Sequence, residues 1–196
     1  MIAQMMDDDP RPVVTLRDRL QACRKEGLPG IPVTELLGYV QEIALALDAR
    51  HARYSLHGNV NPGTIFIENG RARLADSDAA SVTVDPSVIL SADPNLILGT
   101  PAYLSPETLC GQRGPASDQY SLAVTYVELR RGRPPFSGQD LVSLMREHME
   151  MNPDLAGLTD GETKILQTAL AKDPRRRHAT CARLVEALMQ TTATGQ

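Results

Sequence analysis

Apolar positions recur at helical spacing along most of the chain and at strand spacing in one short region. Leu16, Leu20 and Cys23 form a stripe behind Thr15 and Asp18, whose spacing fits a capping box, so a helix is expected to about Lys25. Gly27, Pro29, Gly30 and Pro32 break the pattern. Thr34 then caps a second helix, in which Leu36, Val40, Ile43 and Leu47 recur at three- and four-residue steps as far as His51. Farther on, Tyr120, Leu122, Ala123, Val124, Tyr126, Val127 and Leu129 point in nearly every direction around a helix capped by Ser117 or Asp118. A helix apolar on all sides belongs in the middle of a domain. Arg130, Arg131 and Gly132 end it, and Pro134-Pro135 prevents continuation. Shorter helices follow: 140–149 with Leu144 and His148 on one side, one behind the capping box Thr159 to Glu162, and one from about Thr180 carrying Leu184, Val185 and Leu188.

Strand content is confined to Thr64-Ile65-Phe66-Ile67 and Arg71-Ala72-Arg73-Leu74, joined by Asn69-Gly70, a strong hairpin turn signal. The polar loop before this hairpin and the carboxylates after it bring His57, Asn59, Asn61, Thr64, Asp76 and Asp78 toward one end of it. The segment 79–98 is rich in Ser, Asp and Pro and reads as a long irregular stretch. The expected architecture is mainly α with one small hairpin: an acidic leader over 1–14, one domain over 15–189 and a frayed tail over 190–196.

Composition narrows the partners more than the fold. At 196 residues, with 42% hydrophobic and 22% charged, the chain suits one soluble domain. Aromatics are 4% and tryptophan is absent, so the core must rest on aliphatic side chains. A net charge of −4 gives no electrostatic case for nucleic acid, and the Arg run at 130–133 is explained by a helix C-terminus. Cys23, Cys110 and Cys181 are odd in number and outside any metal-ligand spacing, and His51, His148 and His178 show none either. A reducing, cytoplasmic setting follows. The start of the chain is no signal peptide, and no apolar window approaches the roughly 20 residues of a membrane span.

Five stretches together carry a family resemblance: 56–78 with His57, Pro62 and Asp76; 99–107 ending in Ser105-Pro106-Glu107; Ser117-Asp118-Gln119-Tyr120-Ser121-Leu122; Gly132-Arg133-Pro134-Pro135-Phe136; and 170–177 with Asp173-Pro174 and Arg177. In this order they resemble the C-terminal lobe of eukaryotic-type (Hanks-type) serine/threonine protein kinases. The first is similar to the catalytic loop and metal-binding motif, the others to the end of the activation segment, the buried central helix, its exit and the C-terminal signature. The resemblance implies a Glu107–Arg177 ion pair anchoring the activation segment, Asp118 accepting hydrogen bonds from the catalytic-loop backbone, and His57 beneath Asp76.

The same comparison shows what departs from the family. Asn59 stands where the family has its base, Asn61 where it has a cation, Thr64 where it has a second metal ligand, and Gly58 where it has an arginine. Asp78 replaces a glycine. Asp76 and Asp78 read either as a cation site or as two solvated carboxylates. Nothing matches the N-terminal β-lobe with its Gly-x-Gly-x-x-Gly loop and lysine–glutamate pair.

The expectation is therefore not an enzyme but a pseudokinase lacking the N-lobe, a protein-binding, scaffold or regulatory module. It has no catalytic residue and no ATP or Mg2+ cofactor, and Asp76 is a vestigial metal ligand. Its partner, another kinase or a second copy, would cover the face bared by the absent lobe, with neither nucleic acid nor membrane involved. The alternative is a split kinase that binds ATP and magnesium with a partner-supplied N-lobe.

Overall fold

The computed structural model describes residues 14–75 and 101–194. Thr15 starts the first helix, α1 (Leu16–Lys25), with the reciprocal capping its sequence implies: Asp18 N donates to Thr15 Oγ1, and Thr15 N donates to Asp18 Oδ2 at 2.9 Å. Helix α2 (Val33–His51) begins at Pro32, not at a Thr34 cap. A proline has no N–H to leave unsatisfied at a helix start, and its ring holds φ close to the helical value.

The hairpin forms where Asn69 and Gly70 permit it. Both have positive φ, 52° and 76°, which joins β2 (Ile65–Glu68) to β3 (Arg71–Leu74). Ile65 pairs with Leu74 and Ile67 with Ala72, so these four side chains share the face turned to the core. Glu42 on α2 docks the hairpin by accepting from Arg71 Nε at 2.8 Å and Ala72 N at 2.6 Å. A two-residue strand, β1 (Val14–Thr15), adds antiparallel to β2, giving the order β1-β2-β3. It is too short for any periodic signal, and the sequence reading misses it.

Four helices then enclose the centre. After the single-turn α3 (Pro106–Leu109), α4 (Pro115–Arg131) runs through the middle, with every residue from Ser117 to Val127 buried. Around it pack α2, α6 (Asp160–Ala169) and α7 (Cys181–Thr194). Leu36, Ile43 and Leu47 of α2 meet Tyr120, Leu122 and Tyr126 of α4, Leu166 of α6 and Leu184 and Leu188 of α7 in one core. Full burial of each such aliphatic side chain contributes about 1.5–3 kcal/mol. Helix α5 (Leu141–Glu150) sits to one side on Leu144 and His148.

Helix α4 starts at Gly114 and Pro115, earlier than its sequence pattern suggests. Ser117 and Asp118 therefore lie inside the first turn, where Ser117 Oγ accepts Gly114 N at 3.2 Å while also reaching Glu107, and Asp118 reaches away from its own helix. Gly132, at φ 79°, ends α4 in the left-handed conformation that glycine adopts without strain. A side chain at Gly30 would meet Arg130 O at 2.3 Å, so the 27–32 loop closes directly onto the end of α4. The last helix continues to Thr194, past Gln190, where fraying is expected from sequence. Among the described residues no helix is long and apolar enough to cross a membrane, and the architecture is mainly helical with one small sheet.

Candidate active site

Asp118 is the point on which the loop before the hairpin hangs. Buried in the first turn of α4, it accepts Gly58 N on Oδ1 at 2.7 Å and His57 N on Oδ2 at 2.9 Å. His51 Nε2, at the end of α2, lies 2.7 Å from the same Oδ2. Two backbone N–H groups on one carboxylate are charge-assisted bonds, stronger than neutral ones. Val60, fully buried, and Arg17 N donating to Pro62 O at 3.0 Å hold the rest of the loop against the core and α1.

His57 is buried beside this carboxylate. Burial pushes its pKa down, while Asp118 pulls it partly back. The neutral ring donates from Nε2 to Ala75 O at 3.2 Å and accepts Asn59 N on Nδ1 at 3.4 Å. His57 thus supports the residue just before Asp76. Asp76, Asp78 and the segment 79–98 lie outside the described residues.

The three polar positions of the loop satisfy one another. Asn61, 7% exposed, donates from Nδ2 to Asn59 O and Asn59 Oδ1, each at 3.0 Å, and accepts Gly63 N on Oδ1 at 2.9 Å. Thr64 Oγ1 is 2.8 Å from Asn59 O and accepts Asn61 N at 3.1 Å. Asn61 and Thr64 therefore shape the loop from within, whereas sequence alone presents them as groups aimed at a ligand. Asn59 is half-buried, and its carboxamide oxygen keeps a lone pair beyond the bond from Asn61.

A second anchor lies one residue before Asp118. Ser117 Oγ donates to Glu107 Oε1 at 2.8 Å, and Arg177 meets both Glu107 oxygens with Nη1 and Nη2, each at 2.8 Å. Arg177 also donates to Ala171 O and Ala116 O and stacks over the Tyr120 ring at 4.8 Å. Burial works to raise the Glu107 pKa, but the guanidinium outweighs it and holds the carboxyl below its ordinary value. Beyond the loop, an open groove of about 800 Å³ runs between α2 and the hairpin, lined by Glu42, Leu45, Phe66, Arg71 and Leu74.

A helical lobe with a backbone-gripping Asp118, a Glu107–Arg177 pair and a hairpin-borne loop defines a protein kinase large lobe. A protein kinase domain model matches residues 5–192, and the chain belongs to that family. It is 35% identical over 186 residues to serine/threonine-protein kinase PknF of Mycobacterium tuberculosis, covering 90% of this chain and 37% of that protein. It is 33% identical over 169 residues to serine/threonine-protein kinase drp72 of Corynebacterium efficiens, covering 84% and 31%. A probable serine/threonine-protein kinase PknB of Bifidobacterium longum is 33% identical over 144 residues, 70% of this chain and 21% of that protein. The chain thus spans about a third or less of the length of these curated relatives.

These findings overturn the expectation that the chain is not an enzyme, because the match covers nearly the whole chain and the relatives are named as kinases. The physical reason is one of weight. An absent general base costs about 10²–10⁴-fold in rate. Phosphoryl transfer rests mostly on positioning and charge, which one carboxylate does not decide.

Proposed function

We propose that the chain is the large lobe of a serine/threonine protein kinase, holding a protein hydroxyl at Asn59 for phosphoryl transfer from ATP. The glycine-rich loop and lysine–glutamate pair come from outside the described residues. The observation that carries this reading is Asp118 gripping His57 N and Gly58 N, since a loop pinned by its backbone keeps Asn59 in one place whatever its side chain does.

The Asn59 carboxamide orients the hydroxyl by accepting its hydrogen bond, but it does not take up the proton at neutral pH. Placement then supplies most of the rate. The described loop does not make a magnesium site by itself, because Asn61 and Thr64 are spent on Asn59 and on each other. Asp76 is the carboxylate left to fill that part.

Radiolabelled ATP, magnesium and a generic protein substrate provide the test, with and without a kinase small lobe added in trans. Incorporation abolished by Asp76→Ala and raised by Asn59→Asp, by up to about 10²–10⁴-fold, supports the reading. No incorporation under either condition, with Asn59→Asp equally silent, sinks it.

A second reading is that the same lobe docks a protein on the groove between α2 and the hairpin. Leu45, 56% exposed at its edge, favours this. A photoreactive group at Leu45 should crosslink to the added small lobe; failure to crosslink while transfer proceeds would remove the groove from the interface.

A further inference from the structure

Behind the loop, on the side away from the hairpin groove, α2 and the start of α7 bring together side chains that no sequence spacing connects. Asp48, His51 and Cys181 each offer one donor atom, and the three atoms lie within 4.8 Å of one another. They line a pocket of about 320 Å³ with Gln119 and His178. We propose that Asp48, His51 and Cys181 form a zinc site at the back of the catalytic loop, with a fourth position open to the pocket. Thiolate, imidazole and carboxylate together suit zinc better than magnesium or calcium, which prefer oxygen donors alone.

The geometry requires only small side-chain movements. Donors on one tetrahedral zinc at about 2.0–2.3 Å stand about 3.3–3.8 Å apart. His51 Nδ1 is already 3.9 Å from Asp48 Oδ1. The ring is also held in a ligating state: Nε2 faces Asp118 Oδ2 at 2.7 Å, so a neutral imidazole donates there and presents its lone pair on Nδ1. A carboxylate behind a histidine in this way fixes the tautomer and raises the basicity of the ligand.

Asp48 also caps α7, accepting Cys181 N on Oδ1 and Ala182 N on Oδ2 at 2.9 Å each, and the Cys181 thiol hydrogen-bonds the same carboxylate, which still keeps acceptor capacity. Capping therefore does not exhaust it. Gln119, 1% exposed, stands in the same pocket wall. Its Nε2 is committed to His178 O and Thr180 O, which fixes the amide orientation and leaves the buried Oε1 without a hydrogen-bond partner. A buried carbonyl oxygen left so is destabilising until a donor reaches it.

Burial, and then the neighbouring Asp48 carboxylate, push the Cys181 thiol pKa up. On binding, the S–H bond breaks, a Zn–S bond forms, and the proton passes to buffer. Because Asp118 also carries His57 N and Gly58 N, a metal on His51 would stiffen the network that positions the loop.

Cobalt(II) titration of the chelator-treated full chain is the deciding experiment, because a thiolate ligand gives a sulfur-to-cobalt charge-transfer band. One cobalt per chain with that band is expected, displaced by one zinc. Cys181→Ser should abolish the band, while Cys110→Ser, a change at the exposed thiol, should keep it whole. Asp118→Asn should weaken zinc affinity by about 10–100-fold, as loss of a partner behind a ligating histidine does. If Cys181→Ser fails to fold, a Cys23→Ser, Cys110→Ser double variant, with Cys181 as its only thiol, must still show the full band. No band in the unmodified chain, or a band that follows Cys110, overturns the site.

Discussion

The frame beneath the 56–64 loop and the loop itself use polar groups in opposite ways. In the frame, buried charged side chains reach across long stretches of sequence: Asp118 to the His57 backbone 61 residues away, and Arg177 to Glu107 70 residues away. In the loop, neutral amides and a hydroxyl satisfy one another within five residues. Long-range charged contacts decide where the loop sits, and short-range neutral ones decide its shape. Because the frame holds the loop by its backbone, the placement of the loop does not depend on charge within it.

Breaking the frame should cost the most. Arg177→Met removes the buried cation from a half-buried Glu107, and about 3–5 kcal/mol of stability should be lost in denaturant unfolding. A loss under about 1 kcal/mol would erase the contrast between frame and loop. Asp118→Asn comes next: it keeps the shape but removes the charge that strengthens the bonds to His57 N and Gly58 N, for about 1.5–3 kcal/mol.

Acid should act on the frame in the same direction. His148, packed on Phe136 with Tyr120 Oη 3.0 Å away, has its pKa pushed down from 6.5 to about 3, by burial first and by Lys172 second. Its folded pKa lies below its unfolded one, so the unfolded state binds the proton more readily. Stability is fully present above pH 6.5 and falls as pH drops toward 3. Between pH 6.5 and 5 the loss should be about 1.5 kcal/mol, measured by urea unfolding, and His148→Gln should flatten most of it. The depressed pKa of His57 adds a dependence of the same sign.

The loop should respond least. Thr64→Val keeps the volume and removes the hydroxyl bonded to Asn59 O and Asn61 N, costing about 1 kcal/mol. A larger loss would mean that the loop, too, carries the fold.

Legibility followed the range of the interactions. The capping boxes at Thr15 and Thr159, the Asn69-Gly70 turn and the Gly132 stop each depend on residues within a few positions, and each forms where its pattern stands. Thr34 and Ser117 look equally like caps, but Pro32 and Gly114 start those helices earlier and turn Ser117 and Asp118 into tertiary anchors. Asn61 illustrates the same limit at the site. Its identity is plain from the chain, whereas its inward direction depends on where Asn59 and Gly63 sit.

By itself, then, the sequence determined the helical class, the hairpin, the buried character of α4 and membership of the protein kinase family, because periodicity, caps and ordered motifs are local or linear signals. Only the tertiary structure decided that Asn61 and Thr64 bond inward, that a two-residue strand extends the hairpin, and that Asp48, with His51 beside it, meets Cys181 from 133 residues away along the chain. Such pairings depend on how packed helices bring distant turns together, and no spacing along the chain encodes that distance.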